Sequence, residues 1–151
     1  MEKISIGVWS FGMGTDRYVG NGYKPYINFF ERLDRISAIQ GASGIEITYP
    51  NDVNFDNLAK VKEELKARNL RVVSVGIEHV CDGEWQFGSF SAEDPARRQK
   101  SIDLACQGMD LAHELGAGVI NLWLGQDGFD YVFQADYQKA WNYLVEGIQK
   151  C

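Results

Sequence analysis

The 151-residue sequence has no apolar run long enough to cross a bilayer. Its opening, Met1-Glu2-Lys3-Ile4, lacks the architecture of a secretory leader. It has no stripe of positive charge: the 15 Lys and Arg are scattered among 21 Asp and Glu, for a formal charge of −6. That balance argues against a nucleic-acid surface, because phosphates are held by clustered cations. Cysteine is scarce and unpaired. Cys81, Cys106 and Cys151 make an odd count without a CxxC spacing, so a reduced, cytoplasmic protein is expected. Repeats beyond a strand–helix unit, low-complexity tracts and interdomain linkers are also missing. What the sequence does have is 45% hydrophobic and 13% aromatic residues, which predicts a folded protein with a real core, a single domain over residues 1–151.

The pattern that organises the chain lies in residues 117–141. An apolar run, Val119 to Leu124, stops at Gly125, and a polar, aromatic loop follows with Gln126, Asp127, Asp130, Tyr131, Gln134, Asp136 and Tyr137. Trp141, Leu144, Val145 and Ile148 then recur at helical spacing. A buried strand, a polar loop at its carboxyl end and a helix are the parts from which parallel α/β folds build ligand sites. The same three-part unit occurs earlier. Residues 4–11 predict a first strand ending at Gly12-Met13-Gly14, and Pro25 suits the first turn of a helix carrying Ile27, Phe30, Leu33, Ile36 and Ile39. Residues 44–50 alternate, aiming Glu46 and Thr48 to one side and Ile45 and Ile47 to the other. Asn54 suits the N-cap of an amphipathic helix with Leu58, Val61 and Leu65. Residues 70–77 predict a third, nearly all-apolar strand, and Asp94-Pro95 starts a helix running to Leu115-Gly116. Four such units in order predict an α/β fold with a parallel sheet and right-handed crossovers, half of the eight units that close a TIM barrel.

Two motifs do not hold up as chemistry. Gly12-Met13-Gly14 begins like a dinucleotide fingerprint, but position 17, where the third glycine belongs, is Arg17. His79, Cys81, Asp82 and Glu84 are metal-binding residue types, yet they crowd into one loop with no second cluster, and the other histidine, His113, sits in mid-helix. A capping, substrate-facing loop is expected there.

The segments 44–50, Gly-Ile-Glu-Ile-Thr-Tyr-Pro, and 122–137, from Leu122-Trp123-Leu124-Gly125-Gln126-Asp127 through Tyr137, carry a resemblance. Over essentially its whole length the chain resembles the N-terminal half of the xylose-isomerase-like TIM-barrel family, the sugar isomerases and epimerases. The resemblance implies a sugar isomerase or epimerase whose complete form depends on a divalent metal (Mn, Mg or Co). The metal ligands, and largely the acid and base, lie on strands of the second half, so no catalytic or metal residue is carried over and no metal is expected on this chain alone. What it does imply is a first-half wall for a sugar pocket: Trp9, Phe11, Glu46, His79, Trp123, Gln126 and Asp127. Aromatic rings would meet the C–H face of the sugar, and amides and carboxylates its hydroxyls. Other readings are a non-catalytic sugar- or polyol-binding half-barrel and a fragment with no function of its own. The phosphodiesterase reading that this barrel also admits is disfavoured by the acidic charge. The chain is expected to lack isomerase turnover alone, and to self-associate or require a missing C-terminal half. Its uncovered sheet face is expected to be apolar, with a fourth strand apolar on both sides.

Overall fold

A computed structural model describes residues 3–14, 19, 21–79 and 83–151. Strand β1 (Ile4–Gly7) passes through a 3-10 turn (Val8–Phe11) to helix α1 (Phe29–Ser37), and β2 (Ala42–Tyr49) leads to α2 (Leu58–Ala67). Strand β3 (Arg71–Glu78) passes through a 3-10 turn (Gly83–Phe87) to α3 (Pro95–Leu115). Strand β4 (Val119–Trp123) passes through a third such turn (Val132–Gln134) to α4 (Tyr137–Lys150). The four strands form one parallel sheet in the order β1-β2-β3-β4, the half-barrel arrangement expected from the sequence. Among the described residues no helix is long and apolar enough to cross a membrane.

Local chemistry sets the helix ends. At α1 the Asn28 side chain accepts from the Glu31 N–H at 3.0 Å, and the Glu31 carboxylate accepts from the Asn28 N–H at 3.1 Å. This reciprocal box satisfies two donors that a helix start leaves orphaned, so α1 begins there rather than at Pro25. Likewise, α2 starts only at Leu58, because Asn54 caps the turn before it, accepting from Asp56 N–H and Asn57 N–H. Helix α3 has the ends its sequence signals: Asp94 accepts from Ala96 N–H at 2.9 Å, Pro95 follows, and Gly116 closes the helix with φ 68°. Asp136 caps α4, so this helix starts at Tyr137.

The sheet has two unlike faces. In register, Gly7 lies beside Glu46, Glu46 beside Ser74, Thr48 beside Gly76 and Glu78 beside Trp123. That phase places Ser5, Glu46, Thr48, Ser74, Glu78, Asn121 and Trp123 on one face. The other phase, with Ile45, Ile47, Tyr49, Val75 and Ile77, is buried with Leu33 and Ile36 of α1, Val61 and Leu65 of α2 and Ile102, Ala105 and Leu111 of α3. The face left without helices is therefore largely polar, which corrects the expectation of an apolar one. On β4, Val119 and Trp123 of that face are exposed, while Ile120 and Leu122 pack toward the core.

Helix α3 comes close to the sheet at Gly108, where a Cβ would lie 2.7 Å from Ile77 Cδ1 and 3.3 Å from Tyr49 Cδ1. Replacing it with a β-branched residue forces side chains into a packed interface and gains little helix propensity. Gly108→Val is expected to destabilise the fold by about 2 kcal/mol, measured as a lowered urea midpoint with an unchanged slope.

Candidate functional site at the carboxyl ends of the strands

Past Tyr49 the chain turns tightly, and Asp52 ties the turn down. Its Oδ2 accepts from the Thr48 N–H at 3.1 Å and from the Thr48 hydroxyl at 2.9 Å, and its backbone carbonyl accepts from Asn57 Nδ2 at 3.1 Å. Arg32 of α1 reaches its Oδ1 at 3.4 Å. Burial pushes the Asp52 carboxyl above the ordinary carboxylate range, against the opposing pull of the Thr48 hydrogen bonds and the Arg32 charge. The fixed turn presents Asn51, whose amide donates to Glu78 Oε2 at 2.6 Å. Burial also raises the Glu78 carboxyl; the Asn51 amide lowers it, and the neighbouring Asp52 charge raises it further.

These groups line a cleft of about 340 Å³ bounded by Trp9, Tyr26, Phe29, Arg32, Thr48, Asn51, Asp52 and Glu78. Gly7 sets the position of the Trp9 ring that borders it. A Cβ there would lie 2.3 Å from the Trp9 ring, so the indole can fold back over the end of β1 only because residue 7 has no side chain. Across the sheet, the space above Gly76 is bordered by Thr48 and by Trp123, with a built Cβ 3.8 Å from each. Two half-exposed indoles thus stand over the polar face, with carboxylates between them. Such a surface can stack on the C–H face of a polyhydroxylated ring and accept hydrogen bonds from its hydroxyls.

The residues singled out from the sequence divide into two groups. Trp9 lines the cleft, and Glu46 and Trp123 lie on the same sheet face. The others are not among the residues that line the cleft. Phe11 packs against the core. His79 is fully buried behind the sheet, its Nε2 3.3 Å from the Ser101 carbonyl of α3 and its ring edge-on to Trp85 and Phe90. Burial pushes its pKa below the usual imidazole value. Asp127 holds its own loop, accepting from Phe129 N–H at 3.1 Å and from the Tyr137 hydroxyl at 3.2 Å. Gln126 is exposed. Thr48, Asn51, Asp52 and Glu78 were not among those residues. For Glu78 a signal existed: Ser74 and Gly76 alternate with Val75 and Ile77, and continuing that alternation past Ile77 puts Glu78, not His79, on the polar face.

Among the described residues no group of three His, Cys, Asp or Glu could hold a metal ion. Cys81 and Asp82, half of the cluster weighed from the sequence, lie outside the described residues. The cleft brings two carboxylates and neither histidine nor cysteine, too few donors for a divalent metal site.

A family model described as "Xylose isomerase-like TIM barrel" matches residues 33–151. The chain is 24% identical to a xylose isomerase of Thermus thermophilus over a 161-residue alignment that covers 97% of this chain and 40% of that protein. Its fold is similar to that of a D-psicose 3-epimerase solved in the presence of D-fructose, with TM-score 0.65 and 17% identity, covering 98% of this chain and 46% of the other. It is similar also to a 3-keto-D-glucoside 4-epimerase of E. coli, with TM-score 0.67 and 16% identity, covering 99% and 50%. The chain spans half or less of the length of each.

The raised Glu78 carboxyl has a consequence for stability. A carboxyl whose folded pKa exceeds its unfolded value binds more protons in the folded state, so stability declines as pH rises from about 4.3, the ordinary glutamate value, through the folded value. Glu78→Gln keeps an oxygen for Asn51 and removes that decline. In urea titrations the variant is expected to have the higher midpoint at pH 7, with the difference from the parent disappearing near pH 4.

Proposed function

Since the chain belongs to the xylose isomerase-like TIM barrel family, we propose that it forms the first-half wall of the sugar pocket in a sugar isomerase or epimerase. The observation that carries this reading is the polar sheet face itself, with Trp9, Thr48, Asn51 and Glu78 lining a cleft toward the carboxyl ends of the strands and Glu46 and Trp123 on the same face, the end at which barrel enzymes of this architecture place substrate. In the proposed role the two indoles hold the ring of a small sugar. Glu46 and Glu78 accept hydrogen bonds from its hydroxyls, and Asn51 fixes the direction of Glu78. His79 falls outside this wall because its ring is enclosed behind the sheet. The acid–base and metal chemistry of the family's reaction is assigned to the half of the barrel not present in these residues. The wall therefore binds without turnover, and its opposite side must come from further chain or from another copy.

Binding and turnover separate this reading from its rivals. Titration of the 151-residue chain with aldoses and ketoses, followed by tryptophan fluorescence and calorimetry, is expected to give dissociation constants of about 1 mM, suited to a one-sided site. Trp123→Ala is expected to weaken binding about fivefold, the loss of one aromatic contact worth roughly 1 kcal/mol. Aldose–ketose conversion with added Mn is expected to match a protein-free control. Failure to bind any sugar would overturn the proposed wall, and turnover above the control would overturn the assignment of the chemistry to the other half.

A further inference from the structure

Helix α4 has one buried residue, Gly147, whereas each of the other three helices has two or more. It runs alongside α3 in a register that can be followed turn by turn. Just before α3, the Glu93 carboxylate accepts from Lys139 Nζ in the first turn of α4 at 2.7 Å. Next, the guanidinium carbon of Arg98 lies 3.8 Å from the centroid of the Tyr143 ring. Then Ile102 and Gly147 border the same groove between the two helices, a space of about 140 Å³. Residues four apart share a helix face, so one more turn on each helix brings Cys106 level with Cys151. The two sulfurs meet there. The Cys151 thiol donates to the Gly147 carbonyl at 3.4 Å, which turns it along the groove rather than out into water. It is pushed up to about 11, first by burial and then by the charge of Cys106 and a hydrogen bond with it. Both cysteines are free thiols.

We propose that Cys106 and Cys151 are a reversible disulfide site that pins α4 to α3. The bond forms by exchange with a small-molecule disulfide such as oxidised glutathione. The thiolate of one cysteine attacks a sulfur of glutathione disulfide. That S–S bond breaks, a mixed disulfide forms and one glutathione leaves. The second cysteine gives up its proton and attacks the protein sulfur of the mixed disulfide, which forms the Cys106–Cys151 bond and releases the second glutathione. Two protein thiols lose two electrons, one glutathione disulfide gains them, and the two protons end on the two released thiols. The pair leaves no CxxC signature because α4 returns Cys151 to α3 only after a whole strand–helix unit. Its effect falls on the element that packing holds least. The Tyr137 hydroxyl at the start of α4 donates to Asp127 at 3.2 Å, so pinning the helix also steadies the loop that follows β4. Neither cysteine lines the cleft of Trp9 and Glu78, and the proposal does not depend on how that cleft is read.

The test needs no variant. Cleavage after glutamate places the three cysteines in separate peptides: Cys81 in residues 79–84, Cys106 in 94–114 and Cys151 in 147–151. The reduced 151-residue chain is incubated in a series of oxidised and reduced glutathione mixtures, quenched by alkylation, digested and read by mass spectrometry. Peptides 94–114 and 147–151 are expected to appear joined, with the loss of two hydrogens. This link is expected at a ratio of oxidised to reduced glutathione about tenfold or more below that needed for any link to 79–84. In concentrated urea, where α3 and α4 no longer fix the register, the preference is expected to vanish. Amide hydrogen exchange on the linked chain is expected to slow about tenfold or more across residues 137–151, and dithiothreitol to restore the original rate. Absence of the 94–114 to 147–151 link overturns the proposal. So does an equal yield of links through Cys81, or a link found only between two chains on a non-reducing gel. A link that forms and leaves exchange in α4 unchanged overturns the pinning.

Discussion

The two-faced pairing of β2 with β3 is the constraint on which the rest of the structure depends. Ile45, Ile47, Val75 and Ile77 are each fully buried on the helix side. At about 1.5–3 kcal/mol per side chain, these four contribute roughly 6–12 kcal/mol, as much as the whole net stability of an ordinary domain. Sliding either strand by one residue would turn Glu46, Thr48 and Glu78 into the helices and send the isoleucines to the open face. The register is therefore fixed by burial, and once it is fixed the polar residues have only one face left to occupy.

That face cannot serve as a second hydrophobic core, so its polar groups must hold one another or face water. The Asp52 turn shows how the balance falls. The carboxylate receives two hydrogen bonds from Thr48 and the charge of Arg32, each of which favours its ionised form. Hydrogen bonds to a charged group contribute about 1.5–3 kcal/mol, while taking an ion out of water costs several. Burial wins, and the carboxyl titrates high. The same turn directs Asn51 onto Glu78, so the position of one cleft carboxylate depends on the burial of another. The carboxylates do not lie loose on this surface. A hydroxyl-bearing ligand would meet acceptors already aimed by the protein.

The sequence showed the local structure more clearly than the long-range structure. The strand–helix order, the Asp94-Pro95 start and Gly116 stop of α3, and the placing of Glu46 and Thr48 on the face opposite Ile45 and Ile47 were all legible, because each is set by neighbours within a few residues. Arg32 meeting Asp52 across 20 positions, or Asn51 meeting Glu78 across 27, leaves no trace in local spacing. The choice of His79 over Glu78 differed by a single residue. Ending the third strand at Ile77 removed the residue that would have continued its alternation, and in a structure of period two one position is the difference between cleft and core. Asp127 drew attention by its composition, a carboxylate in a polar loop. Its partners, Phe129 N–H and the Tyr137 hydroxyl, show that such a loop can spend its polar groups on its own shape.

Stability and assembly fall in different parts of this chain. From β1 to α3 the elements interlock, and nearly every fully buried aliphatic side chain belongs to them. Helix α4 has Gly147 as its one buried residue among those described, and it leans on the rest through Leu144 and through the close approach of Gly147 to Phe90. Its larger apolar side chains, Trp141, Val145 and Ile148, face outward. The same division appears in β4, where Ile120 and Leu122 turn inward and Val119 and Trp123 do not. Free backbone groups on a strand edge are solvated and cost little in water, since a backbone hydrogen bond contributes only about 0.5–1.5 kcal/mol net. An exposed apolar stripe beside such an edge has no similar remedy except contact. The first three units can thus hold the fold together, while the fourth strand and helix keep Val119, Trp123, Trp141, Val145 and Ile148 exposed.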